Sequence, residues 1–178
     1  MKAVTLDFKK PGDKIYALGL TRDELGASEY YHLLGAVGNN VPKVDASANL
    51  TLYRQLAEAI QEGLLRSVHD CSDGGFWVAL AESCMAGRLG CSADLSLLPQ
   101  EKNLSDAALL FSESQGRFIV SVSPEKAPAF ESLLRGCQAT CIGEVVSGNR
   151  IETTRSGIKV VETSIEEALQ HWQRPLNF

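Results

Sequence analysis

The stretch SVHDCSDGGFWVALAES, residues 67–83, changes periodicity across a glycine pair. On its N-terminal side, LRSVHD (65–70) has the apolar content of a short buried strand. On its C-terminal side, Trp77, Leu80, Ala81 and Cys84 recur at helical spacing until Gly87 stops the pattern. A strand, a Gly-rich turn and a helix thus follow one another, which is the basic unit of a layered α/β domain.

The same reading extends outward. Upstream, Tyr53, Leu56, Ile60 and Leu64 fall on one helical stripe, with Asp45 or Ser47 as cap and Gly63 as stop. At the start of the chain MKAVTLD (1–7) alternates like a strand, KKPGDK turns, and IYALGL gives a second strand. Between them, Gly, Asn and Pro interrupt TRDELGASEYYHLLGAVGNNVPKVD, leaving one short helix over Ser28–Leu34 in a loop long enough to suggest a function.

Downstream, LGCSADLSLL is a strand running into a loop, SDAALLF a short helix, and GRFIVSVS the clearest strand. Ser123 and Pro124 fit the N-cap and first position of a helix that buries Phe130, Leu133 and Leu134. ATCIGEVV, GNRIETT and GIKVVET follow as strands, and Ile165, Ala168, Leu169 and Trp172 define a closing amphipathic helix. Helices alternate with strands, yet hairpin-like pairs occur at both ends. The expected fold is therefore α/β, a mixed β-sheet flanked by helices in one domain over residues 1–178.

Composition narrows the function classes. A formal charge of −5 and a pI near 5.2 disfavour nucleic acid and anionic membranes as partners, since those select clustered Lys and Arg. No apolar run approaches the ~20 residues of a membrane span, and no signal-peptide pattern opens the chain, so a cytoplasmic location is expected. Five cysteines without a repeated C-x-x-C spacing read as reduced thiols. Cys137 and Cys141 fall on the same side of a strand entry rather than forming a metal or redox pair.

Three polar clusters are candidates for chemistry. At the glycine pair, a helix N-terminus offers unpaired N–H groups and the positive end of a dipole, while Gly74 and Gly75 permit close backbone approach. Asp70 and Asp73 would repel a bare phosphate, so either Mg²⁺ mediates or the aspartates cap the helix; the residues alone favour capping. His69 and Cys71 have strand spacing for a thiolate–imidazole pair, but no third residue orients the histidine, and a buried His with a buried Cys is the commoner arrangement. The second cluster is FSESQGRF (111–118), where Glu113, Ser114, Gln115 and Arg117 combine acceptor, hydroxyl, amide and cation within five residues. The third places Asp23, Glu24, Ser28, Glu29 and His32 around Gly26.

In this order, LGASEYY (25–31), VHDCSDGGFWVALAES (68–83) and LLFSESQGRFIVSV (109–122) resemble the C-terminal domain of the aminoimidazole ribonucleotide synthetase superfamily. Within it, they are most similar to the second-repeat C-terminal domain of the phosphoribosylformylglycinamidine synthases. HDCSDGG resembles the second repeat, where the first has Gln-Asp at the position of His69-Asp70. Two departures are visible: Ala27 stands where a second Gly is usual, and the bulky Phe76-Trp77 follows the glycine pair.

The resemblance implies an ATP-dependent ligase of purine biosynthesis. Formylglycinamide ribonucleotide is activated at its amide oxygen, and glutamine-derived ammonia displaces phosphate to give the amidine. It implies a ligand cleft lined by Asp70, Asp73, Gly74, Gly75, Glu113, Ser114 and Gln115, with no catalytic residue and no metal ligand in this chain. ATP and Mg²⁺ belong to the complete enzyme, held mainly by N-terminal-type domains absent here, so none is expected on the isolated domain. The implied partners are those N-terminal-type domains and an ammonia-supplying glutaminase. The chain alone is then expected to be inactive. A related enzyme such as selenophosphate synthetase, or a hydrogenase-maturation protein, and a non-catalytic binding module are the alternative readings.

Overall fold

A computed structural model describes residues 2–102 and 104–174. Seven strands form one sheet in the order β2-β4-β1-β5-β3-β6-β7. They are β1 Lys14–Leu18, β2 Leu65–Asp70, β3 Gly90–Asp94, β4 Phe118–Val122, β5 Ala139–Val146, β6 Arg150–Arg155 and β7 Ile158–Ser164. Every neighbouring pair is antiparallel except β3 with β6, so the sheet is mixed.

The helices are α1 Glu29–Leu33, α2 Ala46–Glu62, α3 Gly75–Gly87, α4 Asp106–Phe111, α5 Ala127–Leu133 and α6 Ile165–Gln173. They cover both faces, and β1 shows why. Its side chains alternate, Ile15 and Ala17 entering the core under α3 and α4, Tyr16 and Leu18 entering the core under α2 and α5. Two apolar layers therefore sit on one sheet, which accounts for the near-continuous hydrophobicity of IYAL. Among the described residues, no helix is long and apolar enough to cross a membrane.

The stretch that decides the fold behaves as its periodicities predict. β2 ends at Asp70, α3 ends at Gly87, and Leu80, Ala81 and Cys84 of the expected stripe are buried, while Trp77 is half-buried and Phe76 beside it takes the core position. Asp45 caps α2 by accepting the Ala48 N–H at 3.0 Å, and Gly63 closes it in a left-handed conformation. The α2 stripe is rotated from the expected one: Leu52, Leu56 and Ala59 are buried, while Tyr53 is 43% exposed and sets its ring edge-on against Phe118.

Two expectations fail for identifiable reasons. Residues 2–7 form no strand, and Met1 lies outside the described residues. The arm runs past β2, the edge of the sheet, and is tied by single bonds, Val68 N–H donating to Thr5 O at 3.1 Å and Phe8 N–H to Ser83 O at 3.1 Å. Alternation sets which side chains turn inward, but a strand also needs a ladder of partners. Ser123 is not the cap of α5 either: the cap position is Lys126. A helix started at Pro124 would carry Pro128 in its interior, without an N–H for the carbonyl four residues back, so it begins where Pro128 falls in the first turn.

Candidate functional site

A cleft of about 420 Å³ opens between the end of β2 and the loop joining α4 to β4. Asp70, Ser72 and Asp73 line one wall and Glu113 and Gln115 the other, with Tyr53 and Phe118 at one end. Four of the seven residues picked from sequence, Asp70, Asp73, Glu113 and Gln115, therefore meet in one cavity although some forty positions separate the two groups. Gly74, Gly75 and Ser114 are buried behind the walls.

On the first wall, neither aspartate caps α3. Its N-cap is Gly74, with no side-chain cap bond, and Gly74 instead donates its N–H to Glu113 Oε1 at 2.8 Å. Asp70 accepts the Ser72 hydroxyl at 2.5 Å, and this bond holds its carboxyl below the usual carboxylate range. Gly75 has φ of +69°, and a Cβ there would lie 2.5 Å from the Ser112 carbonyl oxygen and 2.9 Å from the Phe111 carbonyl carbon. Its freedom lets the α4–β4 loop pack against the start of α3.

His69 and Cys71 do not pair. His69 Nε2 lies 2.7 Å from Glu82 Oε2 on α3, while Cys71 is buried and its thiol is pushed up to about 11 by that burial. Glu82 orients His69, a partner hidden in the sequence because it lies thirteen positions away, on the helix that returns over the strand.

The second wall is built from within. Ser112, Ser114 and Arg117 are almost wholly buried. Arg117 donates from Nε to Ser114 O at 3.0 Å, from Nη1 to Thr21 Oγ1 at 3.2 Å, and from Nη2 to Ser112 O. Desolvation lowers its pKa, but these acceptors take up its charge-bearing N–H groups. Ser114 Oγ accepts the Arg22 N–H at 3.1 Å and Ser112 Oγ the Glu24 N–H at 3.3 Å, stitching the 112–114 segment to the 22–24 segment. Gln115 is exposed; it also edges a second hollow of about 450 Å³ that includes Arg22, Asn49 and Gln138.

The third cluster supports these walls. Glu24 is buried and accepts the Lys43 N–H at 3.0 Å; Ser28 caps α1; Glu29 and His32 are exposed. Ala27 holds φ of +58° and donates its N–H to Val37 O at 2.6 Å, so the conformation usual for Gly persists at this departure. Phe76, the other departure, turns into the core and Trp77 packs partly against it, so neither obstructs the turn.

Among the described residues, no three His, Cys, Asp or Glu side chains are arranged to hold a metal ion. In this cleft one oxygen of Asp70 is bonded to Ser72 and one oxygen of Glu113 to backbone amides, while Asp73 is exposed. The cleft walls can offer carboxylates, an amide and aromatic edges to a polar ligand, with cationic help at the rim of the neighbouring hollow.

Comparison with known proteins gives the context of this cleft. The family model described as AIR synthase related protein, C-terminal domain, matches residues 10–156. A curated relative, phosphoribosylformylglycinamidine synthase subunit PurL of Methanothrix thermoacetophila, is 37% identical over 98% of this chain and 22% of its own length. The chain thus spans about a fifth of that relative. Among solved structures, T. maritima PurL complexed with FGAR matches with a TM-score of 0.82 at 25% identity, over 93% of this chain and 29% of that one. The hydrogenase maturation protein HypE matches with a TM-score of 0.69 at 18% identity, over 91% of this chain and 56% of its own, a likeness of fold.

Proposed function

The chain belongs to the AIR synthase related protein family as a C-terminal domain, and from that premise we propose that it is the C-terminal domain of a phosphoribosylformylglycinamidine synthase. In this reading it contributes one ligand wall to an enzyme that converts formylglycinamide ribonucleotide to the amidine with ATP and ammonia. Residues 1–178 act as a single domain working beside N-terminal-type domains that hold ATP and Mg²⁺, and a glutaminase supplies the ammonia in the cytoplasm. Alone, the chain turns over no substrate.

The observation that carries this reading is the meeting of Asp70 and Asp73 with Glu113 and Gln115 across one cleft. The motifs that mark the resemblance are far apart in sequence, and a shared cavity is the arrangement a ligand wall needs. Gln115 and Asp73 are exposed there, within reach of a polar ligand, while Gly74, Gly75 and Ser114 set the backbone behind them.

The test joins this chain to the N-terminal-type domains of a relative and follows phosphate release with formylglycinamide ribonucleotide, ATP and ammonia. Turnover is expected from the joined polypeptide and none from the 178-residue chain. Asp73→Ala and Gln115→Ala in the joined enzyme should raise KM or lower kcat without loss of folding. Unchanged kinetics in both variants would remove the cleft from the reaction, and tight Mg²⁺-dependent ATP binding by the isolated chain would overturn the half-site reading.

A further inference from the structure

The cleft contains one group whose contacts differ in kind from its neighbours'. Glu113 Oε1 accepts two backbone N–H groups from two different elements, Gly74 N–H at 2.8 Å and Glu29 N–H at 3.0 Å. Gly74 is the N-cap of α3, and Glu29 is the first residue of α1. One carboxylate oxygen therefore sits at the start of two helices, where unpaired amides and the positive dipole ends favour negative charge.

The consequence reaches all three motifs. Glu113 belongs to the SESQ loop, Gly74 to the SDGG turn and Glu29 to the ASEYY segment. Other ties run between these segments or to residues beside them: Gly75 packs on the Ser112 and Phe111 backbone, Glu113 N–H donates to Glu24 O at 3.3 Å, Ser112 and Ser114 accept the Glu24 and Arg22 amides, and Tyr30 stacks on Phe111 at 4.8 Å. Among the described residues, only the Glu113 carboxylate bonds the turn and the α1 segment at once. It also occupies the place at the α3 N-terminus that an anionic ligand group would otherwise take.

We propose that Glu113 is the positioning residue of the cleft, its carboxylate locking the SDGG turn and the α1 segment into one wall so that Asp73 and Gln115 are presented at fixed separation. This builds on the reading of the cavity as a ligand wall, and it assigns Glu113 the task of holding backbone rather than meeting substrate. An anion that enters the α3 N-terminus does so by displacing Glu113.

The charged groups that face this carboxylate are Asp70 and Asp73 across the cleft, the Glu29 side chain with His32 3.7 Å away from it, Glu24 below, and buried Arg117. Amide NMR separates Glu113 from them and needs neither ligand nor activity. In ¹⁵N-labelled chain, replacing Glu113 should weaken the protection of the Gly74 and Glu29 amides against hydrogen exchange together, and the paired Asp70→Asn, Asp73→Asn chain should leave the protection of both unchanged.

Hydrogen exchange at the two amides should rise about tenfold or more in Glu113→Ala, and by less in Glu113→Gln, which keeps an acceptor oxygen. A rise at one amide without the other in Glu113→Ala, or an equal loss of protection in the Asp70/Asp73 variant, would overturn the proposal. If Glu113→Ala does not fold, the milder Glu113→Gln decides it at the same two amides. Failure would leave the ligand-wall reading standing, because that rests on turnover by the joined enzyme.

Discussion

The turn at 70–75 and the loop at 112–117 look alike as sequence: each joins a helix to a strand and carries hydroxyl, carboxylate and glycine within six residues. In space they differ. Asp70, Ser72 and Asp73 are exposed, whereas Ser112, Ser114 and Arg117 are buried and their polar atoms are spent on backbone groups of neighbouring segments. Polar residue types at a loop thus mark two separate tasks, presenting groups to a ligand and replacing the water a buried backbone loses. The cleft needs both: exposed groups such as Asp73 and Gln115 for presentation, and the buried set of Ser112, Ser114 and Arg117 for rigidity.

Truncating each wall should expose that difference most sharply. Arg117→Ala removes a buried cation and leaves Ser112 O, Ser114 O and Thr21 Oγ1 without their donor, so a loss of about 4 kcal/mol in urea unfolding is expected. Asp73→Ala, on the exposed wall, should stay within about 0.5 kcal/mol of wild type. Equal losses at both positions would erase the division between a presenting and a supporting wall.

The contact between the walls is probed by Gly75→Ala. The new Cβ would meet the Ser112 carbonyl oxygen and the Phe111 carbonyl carbon, backbone atoms that cannot rotate away, in a conformation already unfavourable for Ala. A loss of about 3 kcal/mol is expected by the same measurement, with chemical-shift changes concentrated in the 110–115 segment. A neutral result would mean that the loop is free to withdraw from the turn, and that the walls are not rigidly joined.

Sequence reasoning reached the elements whose signals are local. The α2 cap and stop at Asp45 and Gly63, and the β2-turn-α3 unit, follow from periodicity and end residues alone. It missed where the answer depends on a partner. Residues 2–7 alternate but meet no ladder; Ser123 has cap chemistry but Pro128 resets the helix start; the aspartates have cap chemistry but Glu113, some forty positions on, takes the amide. Convergence of the two motifs in one cavity was legible only through family resemblance, because nothing in the spacing of 70–73 and 113–115 says that β2 and β4 are neighbours.

The smallest expected effect lies at the adjoining Gly26-Ala27 pair, where two reasons for glycine can be separated. At Gly26 the demand is steric: a Cβ would lie 2.6 Å from the Asn40 carbonyl carbon. At Ala27 the demand is conformational, since φ of +58° places an L-residue in the left-handed region, at a cost of about 1–2 kcal/mol. Ala27→Gly relieves that cost but gives the unfolded chain more freedom, which takes back about 0.4–1 kcal/mol. The net expectation is a gain of about 0.5 kcal/mol, read as a rise of about 1–2 °C in Tm for a chain of this size. Because Ala27 also donates to Val37 O, a fall in Tm would show that its methyl group packs the 26–40 loop against α1, and that this support is held by side-chain contact rather than by backbone bonds alone.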